Sequence, residues 1–367
     1  MKFSYYMPTR IVSGKNCVKE NAGLISPLGK KAFIMSGKSS AKKIGALADM
    51  TAALESQGIA WEYYNKVKPN PSLEDVREAA GAAVRAEADF VVAIGGGSPM
   101  DAAKAVAVLA ADEVSDDELL GQRFFSKVLP LVAVPTTAGT GSEVTPYSIL
   151  TNNKLQTKSF LNSEQVYPAV AFLDGKYTED LPFPITAATV IDALSHSAEG
   201  YLAVRAIPPA QALALESLTI IGSILPKMAS GETPCSEDRE ALLYASTLAG
   251  IVISQSGTTA VHAMGYSLTY FKGLDHGVAN GYLLGEYFKY IAASRPLEVK
   301  KILSAMGFES IDALSRLIDS LLDHFELTKE EADKFASIAI KAGNIANTDP
   351  CPSEEELQNI LCNSLVK

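Results

Sequence analysis

The stretch DFVVAIGGGSPMDAAK, residues 89–104, constrains the fold more than any other segment of the chain. Phe90 to Ile94 form a short apolar run, the pattern of a strand covered on both faces of a sheet. The run stops at Gly95, Gly96 and Gly97, and a helix is predicted to follow at once. Ser98 suits the N-cap, Pro99 the first helical position, and Asp101 lies three residues beyond the cap. A buried strand, a glycine turn and a well-specified helix start make a βα unit.

The same rhythm fills the first half of the chain. AFIMSG (32–37) precedes a helix-like stretch over 39–58, WEYYNKV (61–67) precedes LEDVREAAGAAVRAEA (73–88), and LPLVAVP (129–135) is a second continuous apolar strand. This alternation predicts an α/β fold with a Rossmann-like parallel sheet and helices on both faces. After about residue 175 strand-like runs give way to helical periodicity, as in ALALESLTIIGSILPKM (212–228) and REALLYASTLAGIVISQ (239–255). Pro182 and Pro184 suit the boundary, and 367 residues exceed the ~250–300 at which one core usually divides. We expect a dinucleotide-binding α/β domain over 1–180 and an all-helical domain over 181–367.

Three glycines at a helix start let a ligand approach the backbone, and the free N–H groups there favour a phosphate. The alternative is a tight turn with no ligand, since the arrangement is not G-x-G-x-x-G. PTTAGTGSEVT (135–145) also follows a buried strand, so both loops are expected along the carboxyl edge of the sheet, where open α/β sheets bind ligands. The first strand of the AFIMSG unit runs into Gly37, Lys38, Ser39 and Ser40. A carboxylate that would bond the ribose 2′-hydroxyl of NAD(H) is missing there, so NADP(H) is favoured over NAD(H). The bland reading is that these residues only cap the next helix.

The chain has four histidines. Asp192 and His196, in DALSHSAEGY, are four apart on a predicted helix and share one face. On one continuous helix His262 and His276 would stand ~21 Å apart, so the chain must reverse between them, at Gly273, if they are to meet. One carboxylate and three imidazoles make a donor set for Fe2+ or Zn2+ rather than Mg2+ or Ca2+. His324, in LLDHFELTKEE, is expected on the surface.

A net charge of −10, spread along the chain with no long Lys/Arg run, argues against nucleic acid as a partner. Cys17, Cys235, Cys351 and Cys362 lie far apart in no CxxC pair and read as free thiols of a reducing, cytoplasmic compartment. MKFSYYMPTR lacks the apolar core of a signal peptide, and uninterrupted apolar runs fall short of ~20 residues, so no membrane span is expected.

GGGSPMDAAK, PTTAGTGSEVTPYSIL, DALSHSAEGY and the segment from His262 to His276 resemble, in order and spacing, the iron-containing (group III) alcohol dehydrogenases. The resemblance spans nearly the whole chain. It implies a dinucleotide domain and a helical domain with the active site in the cleft between them, and Asp192, His196, His262 and His276 as metal ligands. It further implies cofactor contacts at Gly96, Gly97, Ser98, Thr136, Thr137, Thr140 and Lys158, with Asp101 beside them. The activity implied is hydride transfer between NADP(H) and a small primary alcohol or aldehyde. Many members carry a further histidine four residues after the first ligand of the third motif, thought to relay a proton; Tyr266 stands there in this chain. Tyr266 and Lys158 are thus the candidate catalytic side chains, and Tyr147 and Tyr266 candidate pocket walls. A glycerol-type polyol dehydrogenase using NAD(H), or a non-catalytic nucleotide- and metal-binding protein, stays open, and a homodimer is the expected assembly.

Overall fold

The computed structural model of the chain describes residues 2–366. It divides into two compact units: an α/β unit of Met7–Thr137 and Gly141–Asp180, and a helical unit from Leu181 onward that also takes in Ala138–Thr140 and the segment ending at Tyr6.

The α/β unit holds β1 (Arg10–Ser13), β2 (Lys31–Ser36), β3 (Ala60–Tyr64), β4 (Phe90–Gly95), β5 (Leu131–Pro135), β6 (Tyr147–Asn152), β7 (Thr157–Asn162) and β8 (Val170–Leu173). Its helices are α1 (Cys17–Glu20), α2 (Ser40–Lys43), α3 (Ala46–Ser56), α4 (Leu73–Arg85), α5 (Gly97–Leu109) and α6 (Asp116–Gly121). Six strands form a parallel sheet in the order β1-β8-β5-β4-β2-β3. Side chains alternate between its faces with the period of two that a strand imposes. Phe33, Met35, Val91, Ala93, Leu131 and Ala133 join Val76, Ala79 and Val106 of α4 and α5 in one core. Ile34, Phe90, Val92, Ile94, Val132 and Val134 join Val18, Met50 and Leu54 of α1 and α3 in the other. Both sets are apolar, which is why β4 and β5 read as unbroken hydrophobic runs; each large side chain so buried contributes ~1.5–3 kcal/mol.

Two local features differ from the sequence expectation. The helix expected over 39–58 is two, α2 and α3, interrupted where Gly45 takes a φ of 78°. β6 and β7 form an antiparallel hairpin outside the main sheet, unanticipated because Thr157, Lys158, Ser159 and Asn162 give it little apolar signal.

The helical unit contains α7 (Phe183–Leu202), α8 (Pro208–Ala229), α9 (Ser236–Ser256), α10 (Ala260–Lys272), α11 (His276–Ala292), α12 (Pro296–Met306), α13 (Ile311–Ser320), α14 (Lys329–Ala339) and α15 (Glu354–Leu365). α7 is its axis: from Thr186 to Leu202 every residue except Thr189 is buried, and α8, α9 and α11 pack around it. A helix apolar or small on all sides needs such a surround. α8 is long and apolar enough to cross a bilayer by length and composition alone, and it packs against α7, α9 and α12.

Candidate active site

Four side chains of the helical unit converge. Asp192 and His196 project from one face of α7, His262 stands in the first turn of α10, and His276 opens α11. Gly273, in the left-handed conformation (φ 69°), ends α10, and the chain reverses before Asp275, the N-cap of α11. Asp192 Oδ1 lies 3.9 Å from His196 Nε2 and 4.0 Å from His262 Nε2. The His262 ring centroid is 4.8 Å from that of His196 and 4.9 Å from that of His276. Asp192, His196 and His262 are buried; His276 is partly exposed. The close approach of α11 to α7 requires Gly277, where a Cβ would come within 1.8 Å of Ala188 O and 3.0 Å of Asp192 Cβ.

The protonation pattern turns lone pairs inward. His196 Nδ1 lies 3.3 Å from the Gly139 carbonyl, which can only accept. His262 Nδ1 faces the Glu199 carboxylate, which also accepts. In its neutral form each imidazole then keeps an unprotonated Nε2 on the side of Asp192, and in His262 burial favours that neutral form while the Glu199 carboxylate raises the pKa. Burial lowers the pKa of His196, keeping its ring neutral. Desolvation opposes ionisation of Asp192, yet positive charge on the surrounding histidines when they are protonated, together with the Asn280 amide, holds its carboxyl below the ordinary range.

Asn280 Nδ2 sits among these acceptors, 3.2 Å from Asp192 Oδ1, 3.3 Å from His262 Nε2 and 3.4 Å from His276 Nε2, while its Oδ1 is buried with no hydrogen-bond partner among the described residues. One amide cannot satisfy that many converging lone pairs. The donor atoms of Asp192, His196 and His262 all lie within 4.8 Å of one another. This arrangement, with His276 beside it, fits a divalent transition metal with mixed nitrogen and oxygen ligation.

In the α/β unit, register places the ends of β2, β4 and β5 level, Ser36 opposite Ile94 and Gly95 opposite Pro135. The glycine turn is tighter than the sequence suggested. Gly96, not Ser98, is the N-cap of α5, with extended backbone and no side chain capping the helix. Ser98 lies inside the helix, and its hydroxyl accepts from Asn70 N at 3.1 Å. The first N–H groups of α5 are thus left without a side-chain cap, as an anion site needs. A Cβ on Gly96 would lie 2.7 Å from Thr137 Oγ1, and Thr136 N donates to Gly95 O at 3.0 Å, so the two loops touch.

Asp101 is turned inward. Its carboxylate accepts from Ser142 Oγ at 2.7 Å and Ile149 N at 3.1 Å, so it organises the 141–149 loop rather than offering its oxygens to a ligand. Beside it Lys104, fully buried, donates to Ser142 Oγ, Thr145 Oγ1 and Tyr147 O at 2.6–3.0 Å, and burial pulls its pKa down to about 8. Lys158, on β7, donates to Asn70 Oδ1 at 2.8 Å and Thr151 Oγ1 at 3.1 Å; burial lowers it to about 8 as well. Asn70 therefore links Lys158 to Ser98. Gly37 is partly exposed, and Lys38, Ser39 and Ser40 are exposed beyond the end of β2. Thr140 belongs to the short piece that groups with the helical unit.

Tyr266 stacks on His276, with ring centroids 5.6 Å apart and planes 9° from parallel. His324 is exposed, 3.1 Å from Glu326 Oε1. Sequence reasoning missed Glu199, Asn280, Lys104 and Asn70. For Glu199 a signal existed: it is an acid two turns after Asp192 on a helix otherwise apolar or small.

The uncapped glycine turn at the edge of the parallel sheet suits a phosphate, as in dinucleotide enzymes, and the carboxylate–imidazole cluster of the helical unit suits a divalent metal. Comparison with known proteins narrows this reading. Residues 8–175 match the iron-containing alcohol dehydrogenase family, and residues 186–365 match its carboxyl-terminal domain. Sulfoacetaldehyde reductase of Bilophila wadsworthia is 34% identical over 80% of this chain and 76% of its own. 1,3-Propanediol dehydrogenase of Citrobacter freundii is 32% identical over 98% of this chain and 97% of its own. An iron-containing alcohol dehydrogenase structure from Thermotoga maritima superposes with a TM-score of 0.92 at 38% identity, covering 99% of each chain. The chain belongs to the iron-containing alcohol dehydrogenase family and is an oxidoreductase that uses a nicotinamide cofactor.

Proposed function

We propose that this enzyme reduces small aldehydes to primary alcohols with NADPH in the cytoplasm, as a homodimer, with iron held by Asp192, His196, His262 and His276. The observation that carries the cofactor choice is the turn after β2. It exposes Lys38, Ser39 and Ser40 with no acidic side chain from Gly37 to Ser40, which suits a 2′-phosphate and leaves a bare ribose without its usual partner. The names of the relatives, reductases and dehydrogenases of small aldehydes and diols, support the substrate class.

When bound, the metal supplies Lewis acidity toward a substrate oxygen, and the nicotinamide supplies or accepts the hydride. The chain's part is positioning and exclusion of water. Gly96 and the uncapped N–H groups of α5 would receive the pyrophosphate, with Gly97, Ser98, Thr136 and Thr137 as further candidate contacts in the same unit. Lys158, whose pKa burial lowers to about 8, contributes a donor that is still mostly protonated at neutral pH. Tyr266 fixes the plane of His276 by stacking, and its hydroxyl is a donor in the place where many family members carry a histidine. Tyrosine, with a usual pKa of ~10, is a poor acceptor at neutral pH, so Tyr266 serves as a hydrogen-bond donor rather than as the proton acceptor.

Steady-state kinetics with butanal test the reading. The expected kcat/KM with NADPH exceeds that with NADH by tenfold or more; a preference for NADH contradicts the cofactor assignment, and glycerol oxidation with NAD outpacing it points to a polyol dehydrogenase.

A further inference from the structure

We propose that Glu199 is a positioning residue of the metal centre: its carboxylate sets the tautomer and ring orientation of His262 and adds a second negative charge beside the ion. The assignment rests on reading Asp192, His196, His262 and His276 as that centre.

Glu199 is fully buried on α7, on the same face as Asp192. Its Oε1 accepts from Thr259 Oγ1 at 2.6 Å, Thr259 N at 2.9 Å and His262 N at 3.3 Å. Its Oε2 accepts from His262 Nδ1. Thr259 is the N-cap of α10, and no side chain of α10 caps that helix. One carboxylate oxygen therefore serves as the anion at the N-terminus of α10, and the other holds the imidazole that the first turn presents. Thr259 Oγ1 also meets Tyr287 OH at 2.9 Å, so the carboxylate cannot swing away without breaking a chain of bonds.

Among the described residues, the ionisable partner of Glu199 within ion-pair distance is His262, and neither a lysine nor an arginine neutralises it. A buried carboxylate is costly unless a cation answers it. With Nδ1 committed to Glu199, Nε2 of His262 is a lone pair directed at Asp192, and proton sharing with the carboxylate makes that lone pair more basic. Together Asp192 and Glu199 match the charge of one divalent ion.

Glu199→Gln separates this role from helix capping. Glutamine keeps an oxygen for Thr259 and His262 N but presents an amide N–H to Nδ1, which forces the His262 proton onto Nε2. Cobalt(II) affinity, measured by chelator competition, is expected to fall ten- to a hundredfold. The d–d spectrum should change, while the chelator-treated apoprotein still unfolds cooperatively. Equal affinity and superimposable spectra overturn the assignment and leave the metal centre standing; no cobalt uptake by the wild-type protein overturns both. If the variant does not fold, the zinc-loaded wild-type protein labelled with 15N-histidine carries the test. His262 should show a downfield, slowly exchanging Nδ1 proton, and an unprotonated Nδ1 overturns the proposal.

Discussion

His196 Nε2 lies 3.9 Å from Asp192 Oδ1, one helical turn before it on a helix buried along nearly its whole length. Beyond the Asn280 amide on Asp192 and the Gly139 carbonyl on His196, a shared cation would stabilise the pair. The first consequence concerns His262, which brings the second imidazole to the same oxygen at 4.0 Å. His262→Ala should reduce bound metal from about one ion per chain to a trace after desalting, with the fold retained by circular dichroism. Elemental analysis showing wild-type stoichiometry would refute the ligand set.

The approach of α11 to α7 should be intolerant of a single methyl group. In Gly277→Ala the new Cβ meets a backbone carbonyl at 1.8 Å, which no rotamer change relieves. Overpacking costs about 1–3 kcal/mol and more where backbone must move, so we expect a loss of at least about 3 kcal/mol in chemical denaturation and a weaker metal site. A variant as stable as wild type would show that the helices separate freely.

Cofactor choice should turn on one position. Gly37→Asp places a carboxylate beside the exposed Lys38 and Ser39, where it repels a 2′-phosphate and can accept from a ribose hydroxyl. The ratio of kcat/KM for NADPH over NADH should drop by tenfold or more, equivalent to about 1.4 kcal/mol of discrimination. An unchanged ratio would place the 2′-phosphate elsewhere.

Lys104 gives a pH-dependent prediction. Its pKa falls from 10.5 to about 8 on folding. Between those values the unfolded chain binds more protons than the folded one, so this group makes stability rise with pH across that window. Lys104→Met removes that term, together with three hydrogen bonds and the counter-charge of Asp101 and Glu143. The variant should be less stable by about 3–5 kcal/mol at neutral pH, and the gap to wild type should widen from pH 8 to 10.5. A constant gap would mean that Lys104 titrates normally.

Legibility in the sequence followed the range of the interactions involved. β4 and β5 were readable because both faces are apolar, and α7 because Pro182 and Pro184 mark its start and small and apolar residues fill it. The reversal between His262 and His276 could be inferred because a straight helix would keep them apart, and Gly273 marks where it occurs. Contacts between distant segments were not legible. Ser98 looked like a cap until Gly96 took that place and Asn70, from a different loop, claimed the hydroxyl. Asp101 looked available to a ligand until Ser142 and Ile149 occupied its oxygens. Glu199 stood in plain view, but its partner Thr259 lies on another helix boundary, and only the folded chain shows that it faces His262 Nδ1.

The most direct test of the account is turnover by the anaerobically purified chain, followed by the absorbance of reduced nicotinamide with butanal as substrate. Iron-loaded protein should consume NADPH, chelated protein should not, and iron should restore the rate. Consumption unaffected by chelation, or none with any aldehyde after iron loading, would contradict it.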